Sequence, residues 1–158
     1  MSESWISILN YNLADIINSL YLAAENYDYY PAYIHLISTK TKHLSENDQT
    51  ENLINDIVKY YDVEPDIQIH RVTNQFDLQE IQAQLDAILT SANQTGSISI
   101  DLTGEPAILN AFLFYIAANG DREYDHIFYC SREPPKKEAD FLLNDLQTDY
   151  ELNRLGGK

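Results

Sequence analysis

Cysteine is nearly absent. Cys130 stands alone, which excludes an intramolecular disulfide and the usual clustered-cysteine zinc sites and fits a reducing compartment. In an apolar run such as His126 to Cys130, a lone cysteine reads as core packing. Basic residues are also scarce. Ten lysines and arginines face 25 aspartates and glutamates, a formal net charge of -15, and an acidic surface of this kind repels long DNA and RNA. A compact phosphate ligand in a local pocket stays open. Long hydrophobic runs are missing too: nothing approaches the roughly 18 apolar residues of a membrane span. Met1 to Trp5 has no basic region ahead of an apolar one, so no signal peptide is read and a cytoplasmic location away from membranes is expected.

Glycine is limited to five residues, and familiar cofactor loops are missing with it. No Gly-x-Gly-x-x-Gly follows the first strand, where Asn10-Tyr11-Asn12 stands instead, and this disfavours a dinucleotide-binding enzyme. There is no Walker loop and no serine flanked by glycines as in a nucleophile elbow. The four histidines form no helical His-x-x-x-His pair. No metal or cofactor is expected.

What is present is a globular composition. With 158 residues, 44% of them hydrophobic and 11% aromatic, the chain suits one domain with a real core and leaves no room for a second catalytic domain. We read residues 1–155 as that domain and 156–158 as a frayed tail. Trp5 to Leu9 forms a β-prone run, and Leu13, Ile16, Ile17, Leu20 and Ala24 then recur at helical spacing. The unit repeats. Tyr33 to Ile37 is a strand ahead of a helix marked by Leu53, Ile54, Ile57, Val58 and Tyr61, and Ile67 to Val72 is a strand ahead of a helix capped by Asp77. Ser97 to Leu102 leads through Thr103-Gly104-Glu105-Pro106 into an apolar helix, with Pro106 suited to its first position. His126 to Cys130 supplies a fifth strand, and Phe141, Leu142, Leu146 and Tyr150 mark a last helix.

Strands alternating with helices at these spacings demand right-handed crossovers, so the expected fold is a Rossmann-like α/β domain. Its five- or six-stranded sheet is mostly parallel, with helices on both faces. The winding of such a sheet reverses beside the first strand, commonly between strands one and four, and ligands bind outside the carboxyl ends there. The candidate site is therefore Asn10 to Asn12 and Thr103 to Pro106. Six of the ten basic residues, Lys40, Lys42, Arg71, Arg132, Lys136 and Lys137, fall just after the carboxyl ends of strands two, three and five. At a Debye length of about 8 Å, local charges dominate over distant carboxylates, and this edge suits a compact anion.

The run Ser99 to Pro106, Ser-Ile-Asp-Leu-Thr-Gly-Glu-Pro, on a fourth strand leading into an apolar helix, resembles the signature of CARF domains, the CRISPR-associated Rossmann-fold sensors. A first strand ending in small polar residues, a second ending in Ser38-Thr39-Lys40-Thr41, and a third followed by an aspartate-led helix are similar to that family across nearly the whole chain. The family pattern usually continues with a second glycine, a threonine and often a lysine. Here Glu105, Pro106 and Ala107 occupy those places. The resemblance implies a homodimer that binds a cyclic oligoadenylate, tetra- or hexa-adenylate, across its two-fold axis. It implies contacts from Asn10, Tyr11 and Asn12 and from Asp101, Thr103, Gly104 and Glu105. Ser38 and Thr39 belong to the similar second-strand end, and Lys40 and Arg71 join the site by placement alone.

The resemblance leaves two activities open. A lone sensor fold is either a ring nuclease or a noncatalytic binder that regulates a partner or sequesters the messenger. Ring cleavage needs no metal, because a ribose 2′-hydroxyl attacks the adjacent phosphorus once held in line, and positioned donors stabilise the phosphoryl oxygens. Asn10, Asn12, Thr103 and the Gly104 N–H are the candidate donors, with Lys40 or Arg71 neutralising charge and Tyr11 stacking on adenine. Asn10, Thr103 and Lys40 are the expected catalytic set. His35 reads as structural, and His43 and His70 as surface residues. An acidic protein-interaction module is the third reading.

Overall fold

Trp5, Ile6, Ile8 and Leu9 are all buried in β1 (Ser2–Leu9), so both faces of this strand are covered and it lies inside a sheet. The computed structural model describes residues 2–9, 13–38, 52, 54–55, 64–74, 76–93, 96–103, 107–119, 126–132 and 150–156. β1 runs parallel to β2 (Tyr33–Ser38) on one side and to β4 (Gly96–Asp101) on the other. β3 (Asp66–Arg71) extends the sheet beyond β2, and β5 (His126–Arg132) extends it beyond β4. With β6 (Tyr150–Gly156) at the far edge the order is β3-β2-β1-β4-β5-β6. The winding reverses between β1 and β4, as the sequence predicts.

Among the described residues, the helices traced from end to end are α1 (Leu13–Tyr27), α2 (Leu78–Asn93) and α3 (Ala107–Asn119). On one face Ile6, Ile8, Ile37, Ile98 and Ile100 pack with Ile81, Leu85 and Ile88 of α2 and Leu109 and Leu113 of α3. On the other, Trp5, Leu9, Ile34, Leu36 and Phe128 pack with Leu20 and Ala23 of α1. Ile54, one of the few described residues of the expected second helix, is fully buried in this cluster. Leu53, Ile57, Val58 and Tyr61 lie outside the described residues.

Asp77 caps α2 as expected: its carboxylate accepts from the Gln79 and Glu80 N–H groups, each at 3.1 Å. Glu80 reaches back past the cap to Thr73, whose N–H and hydroxyl donate to it at 2.9 and 2.8 Å, and so ties the approach to α2 onto its first turn. Those donors, the Thr73 N–H foremost, hold the Glu80 carboxyl below its ordinary pKa.

The carboxyl-terminal end departs from expectation. Tyr150, assigned from periodicity to a last helix, opens β6, which pairs antiparallel with β5 from Arg132↔Tyr150 to Ile127↔Gly156. Gly156, read as the first tail residue, closes that strand. The partner that makes Tyr150 extended comes from another part of the chain, and a local helical spacing carries no record of it. Phe141, Leu142, Leu146, Gly157 and Lys158 lie outside the described residues. Among those described, no helix is long and apolar enough to cross a membrane.

Candidate functional site

Parallel pairing brings the carboxyl ends of β1 to β5, Leu9, Ser38, Arg71, Asp101 and Arg132, to one edge. Register fixes what stands beside what. Ser7 of β1 is opposite Asp101 of β4, and Ser38 sits between Leu9 and Arg71 in the outer row.

Asp101 is wholly buried at this switch point. The Ser7 hydroxyl donates to its Oδ2 at 3.0 Å and the Thr103 N–H donates to its Oδ1 at 2.9 Å. Hydroxyls of Thr103 and of Ser19, on α1, also interact favourably with the carboxylate, and Thr103 Oγ1 donates to Ser19 Oγ at 3.3 Å. Each carboxylate oxygen thus accepts a hydrogen bond from within the protein. Burial is the larger effect and pushes the Asp101 pKa up to about 6, while the four donors oppose it.

The expected ligand contact from Asp101 therefore has no free oxygen behind it. Both oxygens are engaged within the protein, and Thr103, which the carboxylate holds, is itself only 2% exposed. Ser38 is buried as well, whereas Arg71 is exposed at the end of β3. The remaining expected residues, Asn10, Tyr11, Asn12, Thr39, Lys40, Gly104 and Glu105, lie outside the described residues, as do Lys42, His43, Lys136 and Lys137. Ser7 and Ser19 escaped the sequence reading. Their signal was there: each interrupts an apolar pattern, Ile6-Ser7-Ile8 and Ile17 to Leu20, and a hydroxyl at a core position needs a partner.

His35 and His70 pair on the opposite face of the sheet. His35 Nδ1 and His70 Nε2 lie 3.1 Å apart, the rings 5.3 Å between centroids. His35 is buried, as its structural reading requires, and His70 is half-buried, not the surface residue the sequence suggested. Burial, reinforced by His70 and opposed by Asp66, lowers the His35 pKa to about 4. Burial also lowers that of His70.

No family model matches the chain, and no curated protein does. Among solved structures, Enterococcus italicus Csm6 bound to cyclic hexa-2′-fluoro-hexa-dAMP matches with a TM-score of 0.64 and 11% identity. The match covers 98% of this chain and 42% of that one, so the chain spans about two fifths of the Csm6 length. Strand order, parallel pairing of β1 to β5 and the switch point at Ser7 and Asp101 agree with the Rossmann-like reading. What this chain shares with Csm6, a CARF-domain protein, is the fold, and it extends over nearly every residue from the first strand to the last.

Proposed function

We propose that this chain binds a cyclic oligoadenylate, tetra- or hexa-adenylate, at the carboxyl edge of its sheet as a homodimer, and cleaves it as a metal-independent ring nuclease. The observation that carries the reading is a fold shared over 98% of the chain with a protein bound to a cyclic hexanucleotide analogue. The switch point between β1 and β4 supports it, being the place where open α/β sheets receive ligands. Arg71, exposed at that edge, supplies a guanidinium able to pair with a phosphate.

In the cleavage step the ribose 2′-oxygen bonds to the adjacent phosphorus and the bond to the 5′-oxygen breaks. The 2′-hydroxyl proton ends on the departing 5′-oxygen. Asn10 and Lys40 hold the attacking and leaving oxygens in line and offset charge on the phosphoryl oxygens, while Thr103, expected from the sequence to join them, has its N–H and hydroxyl engaged by Asp101 and Ser19 and anchors the segment that borders the crevice. A ring of 2′-fluoro-deoxyadenylate lacks the attacking oxygen, so it should bind without being cut.

The second reading, a noncatalytic sensor, is favoured by the His35–His70 pair. His35 and His70 are hydrogen-bonded to one another, and neither is offered to a ligand as a base.

A second copy is argued from α3. Ile108, Phe114 and Tyr115 are 44%, 46% and 61% exposed, and Ala107, Ala111 and Ala118 share their face. Among the described residues this uncharged stripe is solvent-exposed, whereas the other side of α3, Leu109 and Leu113, is buried. α3 follows directly on the Thr103 segment, so two-fold pairing through it would set two crevices side by side and match a symmetric ring. A stable interface needs about 800 Å² per partner, so the stripe is the apolar centre of such a contact.

Two measurements check the proposal. Calorimetry and chromatography with cyclic tetra- and hexa-adenylate, without metal, should show binding and linear products, while the 2′-fluoro ring shows binding alone. Arg71→Ala or Lys40→Ala should weaken binding by about 1 to 3 kcal/mol, the range of a charge-assisted contact. Binding without products leaves the sensor reading. No heat with either ring removes the ligand and favours an acidic protein-interaction module. By light scattering, the native chain should be a dimer and Phe114→Glu a monomer. A native monomer at all concentrations ends the dimer.

A further inference from the structure

The structure assigns Ser7, Ser19 and Asp101 a positioning role: they fix Thr103, at the exit of β4, to β1 and α1, so that the two halves of the crevice move as one body. This inference rests on the proposed ligand site for its consequence in binding, but its geometric content stands without a ligand.

The argument begins with chain connectivity. Ser7 lies two residues before the end of β1, and Ser19 lies on the helix that follows it. Thr103 lies two residues past the end of β4. Strand pairing ends at Ser7↔Asp101, so beyond that rung the β1–β4 ladder offers Thr103 no backbone bond to β1. The side chains replace it. Asp101 receives the Thr103 N–H at 2.9 Å on one oxygen and the Ser7 hydroxyl at 3.0 Å on the other. Thr103 Oγ1 meets Ser19 Oγ at 3.3 Å, which adds α1 to the same knot.

These contacts join residues 94 and 84 positions apart in the chain. All four side chains are buried, Ser7, Ser19 and Asp101 fully, so water does not compete for the bonds and each is worth more than on a surface. A carboxylate shared by donors from three elements cannot release one of them without leaving a buried charge short of a partner. Asp101 is thus a positioning residue acting through Thr103. It does not itself meet the ligand.

The test uses the full chain with Ser19→Ala and Ser7→Ala. Alanine is the best helix former, so Ser19→Ala keeps α1 and is expected to melt cooperatively like the native protein. Hydrogen exchange at the Thr103 amide is read first, with no ligand present. Both variants should lose at least about tenfold protection there, a tenfold change being about 1.4 kcal/mol, while the amides of Ile6 and Ile100 keep theirs. Affinity for cyclic hexa-adenylate should fall by a similar factor. Unchanged Thr103 protection in both variants overturns the positioning role. A native chain that binds neither ring defeats the proposed function and leaves the exchange result to decide this one. Lost protection with unchanged affinity overturns the coupling of Thr103 to the site.

Discussion

Asp101→Asn is expected to raise the unfolding free energy at pH 7 by about 3 kcal/mol relative to the native chain, and to leave it unchanged near pH 4. The sign follows from proton counting. The carboxyl titrates at about 6 in the folded protein and has a reference value of 3.8. Between these values the folded state keeps a proton that the unfolded state has lost, so stability falls as pH rises through that window. The contribution is most favourable below 3.8 and has been lost above about 6. Asparagine stands in for the protonated acid at every pH. Its side-chain oxygen still accepts the Thr103 N–H, and its amide donates to Ser7 in place of accepting. Urea titrations of both proteins at pH 4, 5, 6 and 7 check this. A native chain at least as stable as the variant at pH 7 would show that the four donors outweigh burial.

His35→Leu is expected to act in the opposite direction. In the folded chain His35 titrates at about 4, against an ordinary value of 6.5. Its burial as a neutral ring contributes stability fully present above 6.5 and lost as pH falls through 4, because the unfolded state takes up the proton first. The size is again about 3 kcal/mol over the window. Relative to its own value at pH 7, His35→Leu should therefore gain on the native chain by that amount at pH 4. His70 shifts in the same direction and adds to the acid loss that remains.

These two residues oppose each other across nearly the same pH range. Their combined effect on the native chain between pH 6 and 4 is small, and each substitution exposes the slope of the other. Comparing variant with native cancels the many surface carboxylates, whose titration is common to both. Parallel curves for all three proteins would refute both assignments at once.

The knot and the histidine pair have a shared lesson about what a sequence displays. Asp101 and Thr103 stood out as part of a motif, and the sequence assigned them to a ligand. Their burial reverses the role of the first, because a side chain at 0% exposure with both oxygens engaged has nothing left to offer. Ser7 and Ser19 carry no such mark, since a serine among isoleucines and leucines has no visible partner until β1 and β4 are paired. His35 was placed correctly as structural from its strand position. Its partner was not, because His35 and His70 meet only when β2 and β3 lie in register with Ile37 opposite His70.

By itself the sequence determined the order of β1 to β5, the three helices α1, α2 and α3, the cap at Asp77 and the reversal of winding beside β1. All of these rest on periodicity within a few residues, or on the steric rule that crossovers are right-handed. Tertiary structure alone decided that Tyr150 joins a strand, that Phe112 of α3 packs against the core while Phe114 and Tyr115 are exposed, and that Asp101 is surrounded by hydroxyls from β1 and α1. A uniformly apolar helix does not say which face will turn to the sheet, and an edge strand takes its partner from elsewhere in the chain. Hydrogen bonds across 94 and 84 residues depend on packing that no local pattern encodes.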